Sequence, residues 1–251
     1  MLSEKPWRSD LVMQFIAAQL LCYCFGLLTV SALSATGLAT FKVPTGFAAI
    51  LLLTLSFQGV TWVLGWLFLR RHQVSVAEAL GLRDPGLPLM LCLAAAMAVM
   101  IMPLIGILQQ VSVLTLTRLG WPPEPQAALI LIGGAKSWGL RIYLGVFAIV
   151  IAPVAEEFIF RGVLFPFVKQ LGYPRMAWFG LSAMFALIHL DPGIFVPLFV
   201  LALLLTWLYE KTGNLLAPMV AHAAFNAINL ILLAYLDQVE GLLQKLAHHL
   251  H

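Results

Sequence analysis

Three short clusters in this 251-residue chain place acid–base chemistry inside otherwise apolar sequence. The first is Glu156-Glu157-Phe158-Ile159-Phe160-Arg161. Adjacent carboxylates on a helix project about 100° apart, so Glu156 and Glu157 meet different surroundings. Glu157 and Arg161 lie four positions apart with the acid first, the better orientation for an ion pair on one face. Glu156 is left without a local partner. Pro153, one turn earlier, removes a backbone hydrogen bond and opens room beside it. The second cluster is Phe185-Ala186-Leu187-Ile188-His189, just ahead of the turn signal Asp191-Pro192-Gly193. The third is His222-Ala223-Ala224-Phe225-Asn226, two polar residues on one helix face that Asn229 extends. Each has a plain reading as well: a structural charge cluster, a helix-terminal histidine, and hydrogen-bond glue between helices worth about 0.6–2 kcal/mol per contact. His72 follows two arginines in a loop, and His248, His249 and His251 form a C-terminal tract, so neither group is placed like an active site.

The elements that carry these clusters follow from composition. Hydrophobic residues make up 62% of the chain and charged residues 10%, with mean hydropathy +0.98. Soluble domains are nearer 45–50% apolar and about 25% charged. Lipid must therefore solvate most of the chain, which excludes disorder, a collagen-like fibre and a soluble enzyme domain. A net charge of +3 gives no case for a nucleic-acid partner. Cys22, Cys24 and Cys92 lie in apolar runs, as packed thiols rather than a disulfide framework.

Apolar runs over Leu11–Leu33, Gly46–Leu69, Pro88–Leu108, Ile142–Ala155, Met176–Leu190, Ile194–Leu208 and Leu215–Leu236 predict about seven spans. The runs are continuous and do not alternate, which excludes a β-barrel. The expected architecture is all-α, a polytopic transmembrane bundle forming one integral membrane domain over residues 1–251. Its motif-bearing core covers about 142–236, with the polar site buried among the C-terminal helices. The first run is too long for a cleaved signal peptide and reads as a retained helix. Within the loop Trp121–Leu140, the stretch Ala127–Ile132 is too short to span and reads as an interfacial or re-entrant piece. Seven spans divide the basic residues nine to five, the larger set being Lys5, Arg8, Arg70, Arg71, Arg83, Arg161, Lys169, Arg175 and Lys211. The bias favours a cytoplasmic N-terminus. The site is then expected on the side where the fourth span ends, the cytoplasmic one.

An ionisable residue at the centre of a membrane helix costs roughly 2.5–3.5 kcal/mol, so three such clusters in order are informative together. Glu-Glu-x-x-x-Arg, Phe-x-x-x-His and His-x-x-x-Asn on successive helices resemble the CAAX protease and bacteriocin-processing family (CPBP, or Abi) of intramembrane proteases. The resemblance covers about Ile142–Leu236. It implies a glutamate-dependent peptidase in which Glu156 activates water and His189 helps to hold it. It also implies that His222 and Asn226 stabilise the oxyanion, with Glu157 and Arg161 in support. The residues suit that chemistry on their own terms. A poorly solvated carboxylate is a good general base near neutral pH. Donors aimed at a tetrahedral oxyanion are worth about 2.7–4 kcal/mol each. The substrates implied are membrane-embedded or lipid-modified proteins and peptides, and the setting implied is a bacterial inner membrane.

Other readings stay open at this point. Glu156, His189 and His222 form a possible three-ligand zinc set with a place for water, although no His-Glu-x-x-His helix is present and no cofactor is otherwise called for. Buried Glu and His also occur on the proton paths of transporters, but no pair of broken helices marks two matching halves. A non-enzymatic immunity or scaffold protein would keep the same pocket without using it.

Overall fold

In lipid every backbone polar group must be satisfied within the protein, so long apolar runs become helices. The computed structural model describes residues 7–38, 46–84, 86–123, 131, 134–135 and 137–249, apart from the side chains of 233, 234 and 236–249. Helices α1 (Ser9–Ala35), α2 (Phe47–Arg71), α4 (Leu87–Arg118), α5 (Trp138–Gln170) and α7 (Phe195–Thr212) are each long and apolar enough to cross a membrane. α6 (Met176–Leu187) is shorter, as is the apolar part of α8 (Leu216–His249), which ends at Leu232. Five helices of spanning length and two shorter apolar ones agree with an expectation of about seven spans. A short surface helix, α3 (Val76–Leu80), is capped by the Ser75 hydroxyl, which accepts from the Glu78 amide. Most of the stretch 127–132 lies outside the described residues.

The apolar run Ile142–Ala155 leads straight into the charged pair, so the fourth span carries charge, and α5 continues through the cluster to Gln170. Glu156 therefore sits near the middle of a 33-residue helix instead of at its end. The helix tolerates the charges because Glu157 and Arg161 are buried against each other.

α5 is also not a regular helix. Over Phe147–Ile151 and Phe158–Leu164 it widens to π-helical turns, and prolines explain where the freed carbonyls go. The Ala152 amide bonds back to Phe147, so the next bond in that register would need an N–H on Pro153. The carbonyl of Ala148 is thus left over, and it accepts from Asn226 Nδ2 of α8 at 2.8 Å. Further along, the regular helical donor for the Gly162 carbonyl would be Pro166, which has none. The Trp7 indole N–H fills that place at 2.9 Å. α2 has a π-helical turn of its own over Leu55–Gly59.

α5 runs through the centre of the packing. Leu11, Val12 and Phe15 of α1 and Phe68 and Leu69 of α2 pack on one side of Ile159, Phe160, Val163 and Leu164; Phe185 of α6 and Ala202 of α7 complete that core. A second core joins α4, α7 and α8. There the fully buried Ala94, Ala98, Ala217 and Ala221 let helices approach closely, as small residues do in membranes. Gly26 of α1 makes a similar approach to α2: a Cβ there would lie 2.3 Å from the Ser56 hydroxyl. Gly81 adopts φ +73° after α3, and the Asn214 amide donates to its carbonyl at 2.9 Å.

The start of α1, the end of α2, the end of α5, the start of α6 and the end of α7 meet at one end of the bundle. Trp7 bonds Gly162 and Gln170 donates to the Trp7 carbonyl. The Arg8 amide donates to His72. Arg71 donates to Gln14 at 3.0 Å. Lys169 pairs with Glu210, which also accepts from the Trp178 indole. Arg161 is buried at 2% exposure and so leaves the loop count, which becomes eight against five.

Candidate active site

The two neighbouring glutamates face different surroundings, as their 100° separation requires. Glu157 is fully buried. Its Oε1 accepts from Arg161 Nη1 at 2.9 Å and from His222 Nδ1 at 2.9 Å. Its Oε2 is buried with no partner among the described residues. Arg161 spends its other groups on α7: Nη2 donates to the Ala202 carbonyl at 2.8 Å and Nε reaches the Thr206 hydroxyl at 3.4 Å. Its guanidinium also lies over the Phe185 ring, 4.9 Å from the centroid. One ion pair therefore ties α5, α7 and α8 together.

Glu156 faces a cavity of about 510 Å³ and keeps 16% of its side chain exposed. His189 lines the same cavity. It lies beyond the end of α6, with Nδ1 held 2.8 Å from the Phe185 carbonyl, which leaves Nε2 free. The next residue, Leu190, has φ 53°, a left-handed conformation that costs a side chain of this kind about 1–3 kcal/mol. That turn follows the histidine directly and leads the chain away from α6.

His222 is buried between the two glutamates. A carboxylate oxygen only accepts, so Nδ1 carries a proton toward Glu157. Nε2 lies 3.9 Å from Glu156 Oε2. Asn226, one turn further along α8, has an amide with two hydrogens; one is used on Ala148, which also lines the cavity. Asn229 does not join the group. It is exposed and donates back to Phe225 of its own helix. Among the described residues no three His, Cys, Asp or Glu side chains are grouped to hold a metal ion, and Glu156, His189 and His222 are not gathered in that way.

The cavity's position departs from expectation. Its walls come from the first halves of α2 and α5, from Leu20 and Tyr23 of α1, and from the end of α6. It therefore occupies the half of the bundle away from the Trp7–Gln170 end, not the side where the fourth span ends. The reason is the extra length of α5, which moves its terminus well past the glutamates. Sequence reasoning also missed the α1 and α2 walls. Gln58, a polar residue in the middle of the second apolar run, was the available signal.

Glu156 and His189 line one cavity, His222 lies 3.9 Å from Glu156 and Asn226 is bonded to Ala148 of the cavity wall; comparisons with known proteins bear on that arrangement. Residues 138–228 match the family model described as type II CAAX prenyl endopeptidase Rce1-like. The family that the three motifs resemble is thus the one this segment matches, over α5 to the first part of α8. UPF0177 protein YxdF of Lactococcus lactis is 28% identical over 78 residues, which is 31% of this chain and 42% of that relative. No solved structure matches.

Proposed function

We propose that this chain is an intramembrane endopeptidase that hydrolyses peptide bonds of membrane-embedded or lipid-modified substrates with glutamate-activated water. The observation that carries the reading is the sharing of one cavity by Glu156 and His189, with His222 Nε2 3.9 Å from the Glu156 carboxylate. Glu156 takes a proton from water held between it and His189 Nε2, and the hydroxide attacks the scissile carbonyl. The oxyanion accepts from His222 and from the second hydrogen of the Asn226 amide. Glu156 then returns the proton to the leaving nitrogen, and the bond breaks.

The Glu157 contact fixes how His222 is presented: with Nδ1–H held on Glu157, Nε2 is the ring nitrogen turned toward Glu156. The buried carboxylate of Glu157 is paired with the Arg161 guanidinium, the arrangement a low-dielectric interior requires of a charge. Glu157 and Arg161 are thus positioning residues for His222 and act at one remove from the substrate.

The match to a CAAX prenyl endopeptidase model supports a protease of membrane-associated substrates. The eight-to-five excess of basic residues supports a cytoplasmic Trp7 end, in a bacterial inner membrane. Comparing new peptide ends in membranes that hold the parent protein or Glu156→Gln tests the reading. Ends present only with the parent identify substrates; identical sets of ends in both membranes would reject it.

A further inference from the structure

The cavity that holds Glu156 and His189 has a wall that none of the three motifs supplies. α2 contributes Thr54, Phe57 and Gln58 to it. The Thr54 hydroxyl is already used: it donates to the Ile50 carbonyl at 2.9 Å and accepts from Tyr143 at 2.8 Å. Gln58 is different. The residue is 8% exposed, and among the described residues its carboxamide makes no hydrogen bond, its polar atoms opening onto the cavity. Gln19, the other buried glutamine at the α1–α2 contact, shows the usual outcome. Its Nε2 donates to the Phe57 carbonyl at 3.0 Å and its Oε1 accepts from Thr61 at 3.2 Å. A carboxamide held at the wall of a cavity with both its donors and its acceptor unspent is available to whatever fills that cavity. Gln58 also sits in the π-helical turn Leu55–Gly59, and such turns recur at functional sites.

A carboxamide offers both donors and an acceptor, the complement of a peptide unit. At about 510 Å³ the cavity falls within the range of pockets that enclose a small ligand or a short peptide stretch. Building on the peptidase reading above, we propose that Gln58 is a substrate-positioning residue whose carboxamide hydrogen-bonds the backbone of a peptide segment lying in this cavity. It donates to a substrate carbonyl and accepts from a substrate N–H, and it holds the scissile bond against Glu156.

The test uses full-length protein in detergent and an internally quenched, farnesylated peptide ending in Cys-aliphatic-aliphatic-Met. A companion set carries one N-methylated backbone amide at a time. Gln58→Leu is expected to raise KM about tenfold while kcat stays within about threefold. One N-methyl position should weaken the parent about tenfold and leave Gln58→Leu within about twofold. Gln58→Met, of the same length without the polar end, repeats the measurement should the leucine variant fold poorly. Unchanged KM in the folded variant, or N-methyl penalties that are the same in parent and variant, would overturn the proposal. A parent with no turnover above Glu156→Gln fails the peptidase reading itself and this proposal with it, whereas turnover with unchanged KM fails only Gln58.

Discussion

Asn226 carries two loads at once, and its substitution separates them. One amide hydrogen satisfies the Ala148 carbonyl that Pro153 leaves without a donor, and the other is free to meet an oxyanion. Asn226→Ala deletes one transition-state donor, so turnover should fall by about 10²–10³ with apparent affinity little changed. It also removes the hydrogen bond to the Ala148 carbonyl, which should cost about 0.5–1.5 kcal/mol of stability, readable as a lower thermal midpoint. A fall in stability with full turnover would make Asn226 a helix clamp only. The pairing of the two glutamates follows the same logic. Position 157 is bonded to Arg161 and His222, whereas Glu156 keeps its carboxylate toward the cavity. The split was legible in the sequence from the four-residue spacing of Glu157 and Arg161. The His222 contact was not, because it joins residues 65 positions apart.

At the scale of elements, α5 depends on pairing to hold charge in the bundle. Arg161 links Glu157, the Ala202 carbonyl and Thr206, with 2% of its side chain exposed. Arg161→Ala leaves Glu157 buried with only His222, a loss of about 3–5 kcal/mol. Thermal unfolding in detergent should show a clearly lower midpoint and a reduced folded yield. Normal stability with activity abolished would instead give Arg161 a direct role in the chemistry. How far α5 runs past Ala155 was not legible from hydropathy for the same reason: an average over residues counts Glu156, Glu157 and Arg161 as breaks, although pairing makes two of them buried structure. The π-helical turns of α5 were equally hidden, since the carbonyls of Ala148 and Gly162 beside Pro153 and Pro166 find their donors far away in the chain. Trp7 is one such partner, bound to Gly162 across 155 positions.

At the scale of the whole molecule, the apolar runs were enough to foresee a helical membrane bundle. The α1–α2 wall of the cavity was not foreseen, because tertiary packing alone brings Tyr23 and Gln58 to the glutamate. Orientation has its own test. Single cysteines at Arg175 and at Trp121, in a chain without Cys22, Cys24 and Cys92, should react with a membrane-impermeant thiol reagent from opposite sides. Labelling of the Trp121 site, and not the Arg175 site, in intact cells is expected if the Trp7 end is cytoplasmic; the reverse pattern would invert the protein. The central claim, that Glu156 activates water, rests on one comparison. Glu156→Gln keeps shape and hydrogen-bonding capacity but removes basicity. Purified in detergent alongside the parent, with a contaminating-protease control, it should remain folded, bind substrate as the parent does, and show no turnover. Turnover in Glu156→Gln close to that of the parent would contradict the glutamate mechanism.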